Sequence, residues 1–412
     1  METASSSANR NTERGGGKLG RFVLIWQLFQ MLHLMPLPES EQPAGEEGGQ
    51  DVPLEAQDVS LQARSKEDVL SKHNLPKQVP SIIDIKKVVP KHCFEPIPAL
   101  SVYYMFKDFF LVGCLYQLSQ WSWQYLPASA QIVLTPLYFL VQGTVYTGIF
   151  VVGHDAGHGS FSNSELLNTV CGNICHTFLL CPYYMWKLSH RHHHKNTGNI
   201  DKDEVFYPVR KSQDPKVRLT IPGFGLGIGW FMYLVHGYRP RGVPHFNLWI
   251  PMFRGHVVQC AVSMACLIGW CLALNWCRMT FGLGWVLYHH TVPTAIFATY
   301  IVIITFLHHS EEGVPWYGDD IWSNVRGQLS SVDRLYGWCH ALIHNIGTHQ
   351  IHHLFPKVPH YHLEEATVHF RKAFPSLVNI NNDRILPAFC RMFLKYVHQN
   401  VVDDNASIHV YK

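Results

Sequence analysis

The sequence predicts an all-α integral membrane protein in which four transmembrane helices carry a cytosolic helical cap, and three observations predict it. The chain holds four long apolar stretches, three histidine clusters at helical spacing, and basic residues gathered on one side of the implied membrane. With 47% hydrophobic and 13% aromatic residues over 412 positions it can bury a large core, and a net charge of only +3 implies no nucleic-acid partner.

Residues 1–75 are polar, with runs such as Glu46-Glu47-Gly48-Gly49, and read as disordered. Within them Phe22 to Met35 is apolar, but too short to span comfortably and without the small-residue cleavage site of a signal peptide. Arg10, Arg14, Lys18 and Arg21 suit a transit peptide, whereas Glu2 and Glu13 count against one. Residues 76–99 form an interfacial amphipathic segment: Ile82, Ile85, Val88 and Val89 share one face of a short helix that Pro90 ends, a pattern suited to a membrane surface.

A main domain at 100–385 follows, with a C-terminal tail at 386–412. Leu100 to Trp121 is the first span, interrupted by Lys107 and Asp108, which must face the bundle or pair with each other. Ile132 to Val152 is the second, and the short linker makes the two a helical hairpin. Leu166 to Met185 is apolar but contains Asn168, Asn173, His176 and Pro182; for the histidine clusters at its two ends to meet on one side it must dip in and return or lie along the interface, with a single crossing as the runner-up. Gly223 to Tyr238 is read as interfacial. Val257 to Ala273 and Trp285 to Leu307 are the third and fourth spans, with His289 and His290 as core or cavity residues of the last. The connection between the second and third spans is rich in Lys and Arg, while the opposite turns offer only Arg278, so that connection faces the cytosol. The eleven cysteines form no CxxC pair and read as packed structural thiols.

All three histidine clusters fall on the cytosolic side. His154 and His158 are spaced i, i+4; His190, His193 and His194 are spaced i, i+3, i+4; and His349, His352 and His353 repeat that pattern. On helices each set projects its imidazoles from one face. Eight imidazoles exceed the four ligands of one tetrahedral zinc but suit two metal ions with open positions. Asp155, Asp201, Asp203 and Glu204 are placed to accept the free ring N–H groups and orient the ligands. A metal pair at the membrane surface above a helical bundle suits a substrate whose apolar tail enters from the bilayer. Attacking an alkyl C–H bond requires an oxidant that side chains cannot supply, so oxidation of a lipid acyl chain is the inference.

At these residues the chain resembles a known family. His154-Asp-Ala-Gly-His158 followed by Gly-Ser-Phe-Ser, Ser189-His-Arg-His-His-His194, and His344-Asn-Ile-Gly-Thr-His349-Gln-Ile-His-His353-Leu-Phe-Pro with Pro359-His-Tyr-His-Leu resemble the membrane fatty acid desaturases, and more narrowly their methyl-end, omega-3 type. Lys86-Lys87-Val-Val-Pro90-Lys-His-Cys-Phe94 and Val332-Asp-Arg-Leu-Tyr-Gly337 extend the similarity, which runs from about Ile82 to near Ala373.

The resemblance implies a non-haem diiron enzyme using O2 and two electrons to place a cis double bond in a membrane lipid acyl chain. Its catalytic ligands would fall on His154, His158, His190, His193, His194, His349, His352 and His353, with a ninth metal ligand at His309 in preference to His308. Thr305 stands where some distant members carry a water-holding Asn, and His192 fills a variable position. The chain contains no cytochrome b5-like His-Pro-Gly-Gly motif, so the electrons are expected from an external donor, cytochrome b5 in the endoplasmic reticulum membrane or ferredoxin in a plastid. The poor transit peptide favours the former. Within the family, the omega-3 type carries Asp after the first histidine, as Asp155 does here, and lacks an Asp before the third cluster, as Ile346-Gly347-Thr348-His349 does. The expected reaction is therefore desaturation of dienes such as linoleate. An omega-6 (oleate) desaturase and a diiron fatty acyl or sterol hydroxylase share most of the pattern. A non-enzymatic metal-binding or transport protein fits less well, because the clusters lie at span ends and no internal repeat is visible.

Overall fold

The computed structural model describes residues 66–73, 75–214 and 221–412; Phe22 to Met35, Lys216 and Arg218 lie outside them. Among the described residues, four helices are long and apolar enough to cross a membrane: α2 (Pro98–Tyr125), α3 (Ala128–His158), α7 (Val257–Phe281, led in by a 3₁₀ turn at Pro251–His256) and α8 (Leu283–His309). The break between α2 and α3 is Leu126-Pro127, where the ring of Pro127 ends one helix and starts the next. Gly282, at φ 92°, makes the reversal between α7 and α8. Both hairpins therefore return to the same side, and the C-terminal ends of α3 and α8 emerge together.

The helix α3 packs against α2 and α8, and this contact fixes where the first histidine pair stands. Near its end Gly153 lies so close to the His176 ring that a Cβ would sit 2.4 Å from it. Gly159, at φ 72°, then caps α3 directly after His158. Within α8 a π turn at Leu287–Thr291 has a chemical cause. Pro293 has no N–H to give to the carbonyl four residues back, that of His289. The Tyr146 hydroxyl donates to that carbonyl instead, at 3.0 Å.

The charged pair of the first span and the two mid-span histidines of the fourth are engaged. Asp108 lies 3.4 Å from Lys107 Nζ, and its Oδ2 is 2.6 Å from Nε2 of His344, so the charged pair faces protein. His289 sits between Tyr138 and Gln120, and His290 reaches the Phe178 carbonyl at 2.9 Å; both are core residues remote from the clusters. The eleven cysteines are all free.

The cap is built from short elements. After α3 come α4 (Glu165–Phe178), only 14 residues long, a tight bend at Leu180 with φ 60°, and α5 (Tyr183–Asn196). The sequence Leu166 to Met185 thus turns back before its full length is used, which brings α5 beside the end of α3. α6 (Gly227–His236) lies along α8 with Trp230 and Leu234 buried. Then follow α9 (Asn324–Leu329), α10 (His349–Leu354), α11 (Leu363–Ala373) and α12 (Ile385–Gln399).

Two regions differ in character from their sequence reading. The apolar stripe of α1 (Ile82–Val88) packs on protein: Ile85 and Val89 are buried in one cluster with Leu363, Ala366 and Phe370 of α11. Residues 386–412, set apart as a tail, are built into the fold. α12 buries Ala388, Phe389 and Met392 and contacts α8. The last strands β5 (Val401–Val402) and β6 (Ile408–Val410) pair with β1 (Val209–Arg210) and β2 (Pro315–Tyr317), while β3 (Asp333–Arg334) pairs with β4 (Ile380–Asn381). These two-residue and three-residue ribbons have too little alternation to be read from sequence.

Candidate metal centre

The helix ends deliver the imidazoles. His154 and His158 come from the last turn of α3, His309 from the last residue of α8, His190, His193 and His194 from α5, and His349, His352 and His353 from α10. Buried polar groups hold the α8 end in place. Arg334 donates to the Leu307 carbonyl at 3.1 Å and pairs with Glu311, so a terminal carbonyl of α8 is satisfied within the cap.

The rings converge in two groups. His154, His158, His190, His194 and His352 form one, and His193, His309 and His353 form the other, with ring nitrogens in each within 4.8 Å of one another. His349 joins the second, its Nε2 3.2 Å from that of His309 and 2.9 Å from that of His353. The structure thus brings all nine sequence-predicted residues together. His308 is spoken for elsewhere, with Nδ1 2.5 Å from the Val332 carbonyl and Nε2 3.0 Å from the Tyr336 hydroxyl. His192 is half-buried and faces Glu204.

These contacts fit metal ions better than they fit hydrogen bonds. An ion ~2.1 Å from each nitrogen, with bond angles of about 90–110°, sets neighbouring ligand atoms about 2.9–3.4 Å apart. The Nε2 pairs His154–His158, His190–His194, His194–His352 and His193–His309 are 3.1–3.2 Å apart. In two rings of the second group the partners of Nδ1 favour the tautomer that leaves Nε2 with its lone pair. His193 Nδ1 donates to Asp203 Oδ1 at 2.8 Å. His353 Nδ1 faces Gln328 Oε1 at 3.0 Å and Thr197 Oγ1 at 3.1 Å, and the Thr197 hydroxyl is itself used as donor to the His193 carbonyl. A buried ring nitrogen left with its lone pair and set against further ring nitrogens at 2.9–3.2 Å suits a cation between them. Burial pushes His190, His194, His349, His352 and His353 well below the ordinary imidazole range, so the rings are neutral and available as ligands.

The carboxylates divide. Asp203 is fully buried and orients His193. Asp155 lies 3.6 Å from His154 Nδ1, and its other oxygen accepts from both the backbone N–H and Nδ1 of His360, at 2.9 and 2.8 Å. Glu204 accepts from the Ser189 hydroxyl at 2.9 Å and so steadies α5 without touching any of the nine rings. Asp201, expected to orient a ring, does not: it forms a two-pronged pair with Arg210, both contacts at 2.9 Å, because Asn199 accepts the N–H groups of Asp201 and Lys202 and turns the chain away from the rings. His360, Thr197 and Gln328 were missed. The Pro359-His-Tyr-His run carried a signal for His360; nothing local marks the other two.

Beneath both groups lies a mainly apolar cavity. Phe150, Val151, Trp186, Trp230, Val302, Ile304 and Ile346 line it, and His154, His190, His193, His309 and His349 complete the lining together with Thr305.

Sequence comparison gives this geometry its family. The sequence model of the fatty acid desaturases matches residues 130–380, which hold the second to fourth spans and all nine histidines. The chain belongs to the fatty acid desaturase family. This desaturase is 37% identical over 293 residues to the sn-1 acyl-lipid omega-3 desaturase (ferredoxin) of Nostoc sp. (strain 36), covering 69% of the present chain and 78% of that relative. It is 38% identical over 300 residues to the omega-3 fatty acid desaturase, endoplasmic reticulum, of Nicotiana tabacum, covering 69% and 76%. It is also 38% identical over 299 residues to a Delta(12) fatty acid desaturase of Calendula officinalis, covering 69% and 78%. The enzyme is therefore a membrane-bound oxidoreductase of unsaturated fatty acid synthesis, and its clustered histidines are compatible with bound metal.

Proposed function

We propose that this desaturase holds two irons and introduces an omega-3 double bond into dienoyl chains such as linoleate. The observation that carries the reading is the mainly apolar cavity lined by histidines of both groups, which suits an acyl chain laid past two metals. His154, His158, His190, His194 and His352 would hold one iron, and His193, His309, His349 and His353 the other. Two bound irons supply the oxidising chemistry, in which O2, two electrons and two protons are consumed as two hydrogens leave the chain and two waters form.

The protein's own residues do the rest. The aromatic and branched walls exclude water and hold the chain by its methylenes. Asp203, Thr197 and Gln328 fix ring orientation. Ile346 supports the regiochemistry: it sits in the cavity wall three residues before His349, where the omega-3 pattern departs from the omega-6 one. An omega-6 reading is the alternative, since relatives of both names are equally similar.

Electrons would come from a small acidic carrier on the cap side, with Arg191 and Lys195 exposed beside the ligand-bearing face of α5. Endoplasmic reticulum residence with cytochrome b5 is the favoured setting, ferredoxin the alternative. Expression in yeast with oleate or linoleate fed separately tests the assignment by gas chromatography of the products. A triene from linoleate and little conversion of oleate is expected; linoleate formed from oleate with dienes untouched would reverse the regiochemistry.

A further inference from the structure

One more cluster of metal-ligating side chains stands apart from the nine histidines. His92 and Cys93 lie in the 3₁₀ turn Lys91–Phe94 that follows α1, while His362 and Glu365 lie at the start of α11. Their donor atoms are all within 4.8 Å of one another. His92 Nε2 is 2.9 Å from Glu365 Oε2, Cys93 Sγ is 3.7 Å from His92 Nε2, and His362 Nδ1 is 4.0 Å from Glu365 Oε2.

A tetrahedral zinc, ~2.1 Å from nitrogen or oxygen and ~2.3 Å from sulfur, sets its ligand atoms about 3.4–3.6 Å apart. The observed separations bracket that range. Cys93 is fully buried at the base of the cluster, whereas His92 and Glu365 are exposed and free to adjust by small side-chain rotations. The frame on both sides is fixed: Ile85, Val89 and Cys93 pack with Leu363 and Phe370, and the Ile97 N–H donates to the Tyr361 hydroxyl at 2.7 Å.

We propose that His92, Cys93, His362 and Glu365 form a structural zinc site that clamps the segment after α1 to α11. The donor set selects the ion. One thiolate and one carboxylate neutralise a divalent charge, a thiolate with two imidazoles disfavours magnesium and calcium, and zinc binds such donors more tightly than ferrous iron does. All four positions are filled by protein, as in structural sites. Without metal, burial and the neighbouring Glu365 push the Cys93 thiol up to about 11, so zinc uptake displaces a proton. The clamp has a bearing on the catalytic groups: α11 begins just after His360, whose ring and backbone bind Asp155 beside His154. It thus steadies the strut between the third histidine cluster and the first.

The full-length protein, purified in detergent and stripped of metal, is titrated with Co²⁺ as the optical probe and, separately, with Zn²⁺. The wild type should show a thiolate-to-cobalt charge-transfer band that Cys93→Ser lacks, and Cys93→Ser and His362→Gln should each bind one zinc fewer per chain. As purified, both variants should retain the iron of the wild type, while His353→Ala loses iron and keeps the cobalt band. Because the band reports a thiolate ligand, it does not depend on what the histidine groups hold. Should Cys93→Ser fail to accumulate, His362→Gln and Glu365→Gln carry the same comparison. Absence of the band in the wild type, or equal zinc uptake by the wild type and His362→Gln, would overturn the proposal.

Discussion

Asp203 Oδ1 lies 2.8 Å from Nδ1 of His193, and both side chains are buried. The carboxylate accepts the ring proton on one side, which leaves the opposite nitrogen bare towards His309, 3.2 Å away. Asp203 also accepts the backbone N–H groups of Gly198 and Glu204, so it cannot swing to another partner without breaking the turn after α5. One residue thus joins local folding to ligand presentation.

Replacing that carboxylate tests the link. Asp203→Asn keeps the shape but weakens the orientation and basicity of His193. Desaturation should fall about 10- to 100-fold, with iron retention reduced and membrane insertion unchanged. Product yield per unit of immunodetected protein measures it, and an unchanged yield would show that His193 needs no such partner.

His308 and His309 make a sharper pair. They are adjacent in sequence and both buried, yet only His309 faces other ring nitrogens, while His308 bonds Val332 and Tyr336. His309→Ala should lose iron and product, whereas His308→Gln should retain iron with some loss of thermal stability. Equal iron loss in both variants would contradict the assignment of the ninth ligand.

Acidification should destabilise the metal-stripped protein. Burial holds His190, His194, His349, His352 and His353 below their ordinary value of 6.5, so the unfolded chain binds more protons than the folded one as pH falls through that value. The stability these rings permit is present above it and is lost on going lower. Thermal unfolding in detergent should show a lower midpoint at about pH 5.5 than at about pH 7.5. A flat midpoint would mean the rings are not buried neutral.

Much of this site was legible because helical spacing is a local property. The i, i+3, i+4 repeats at His190 and His349 already say that three rings share a face, and the span count says that the clusters share a side. What sequence leaves silent is partnership at long range. Gln328, whose side chain faces His353 and donates to the His194 carbonyl, is linked to both only by the fold. Asp201 and Asp203 are two residues apart and look alike in sequence, yet Arg210 claims one and His193 the other. His92 and Cys93 are neighbours, but His362 and Glu365 arrive from the other end of the cap, so no CxxC-type spacing announces them.

Iron content tests the central claim most directly. The full-length protein, purified in detergent from iron-sufficient cells and measured by elemental analysis against quantified chain, should hold two irons per chain. His194→Ala and His353→Ala should each fall below two while remaining folded in the membrane. A wild type that forms product with one iron per chain or none, or variants that keep both irons, would contradict the two-metal account.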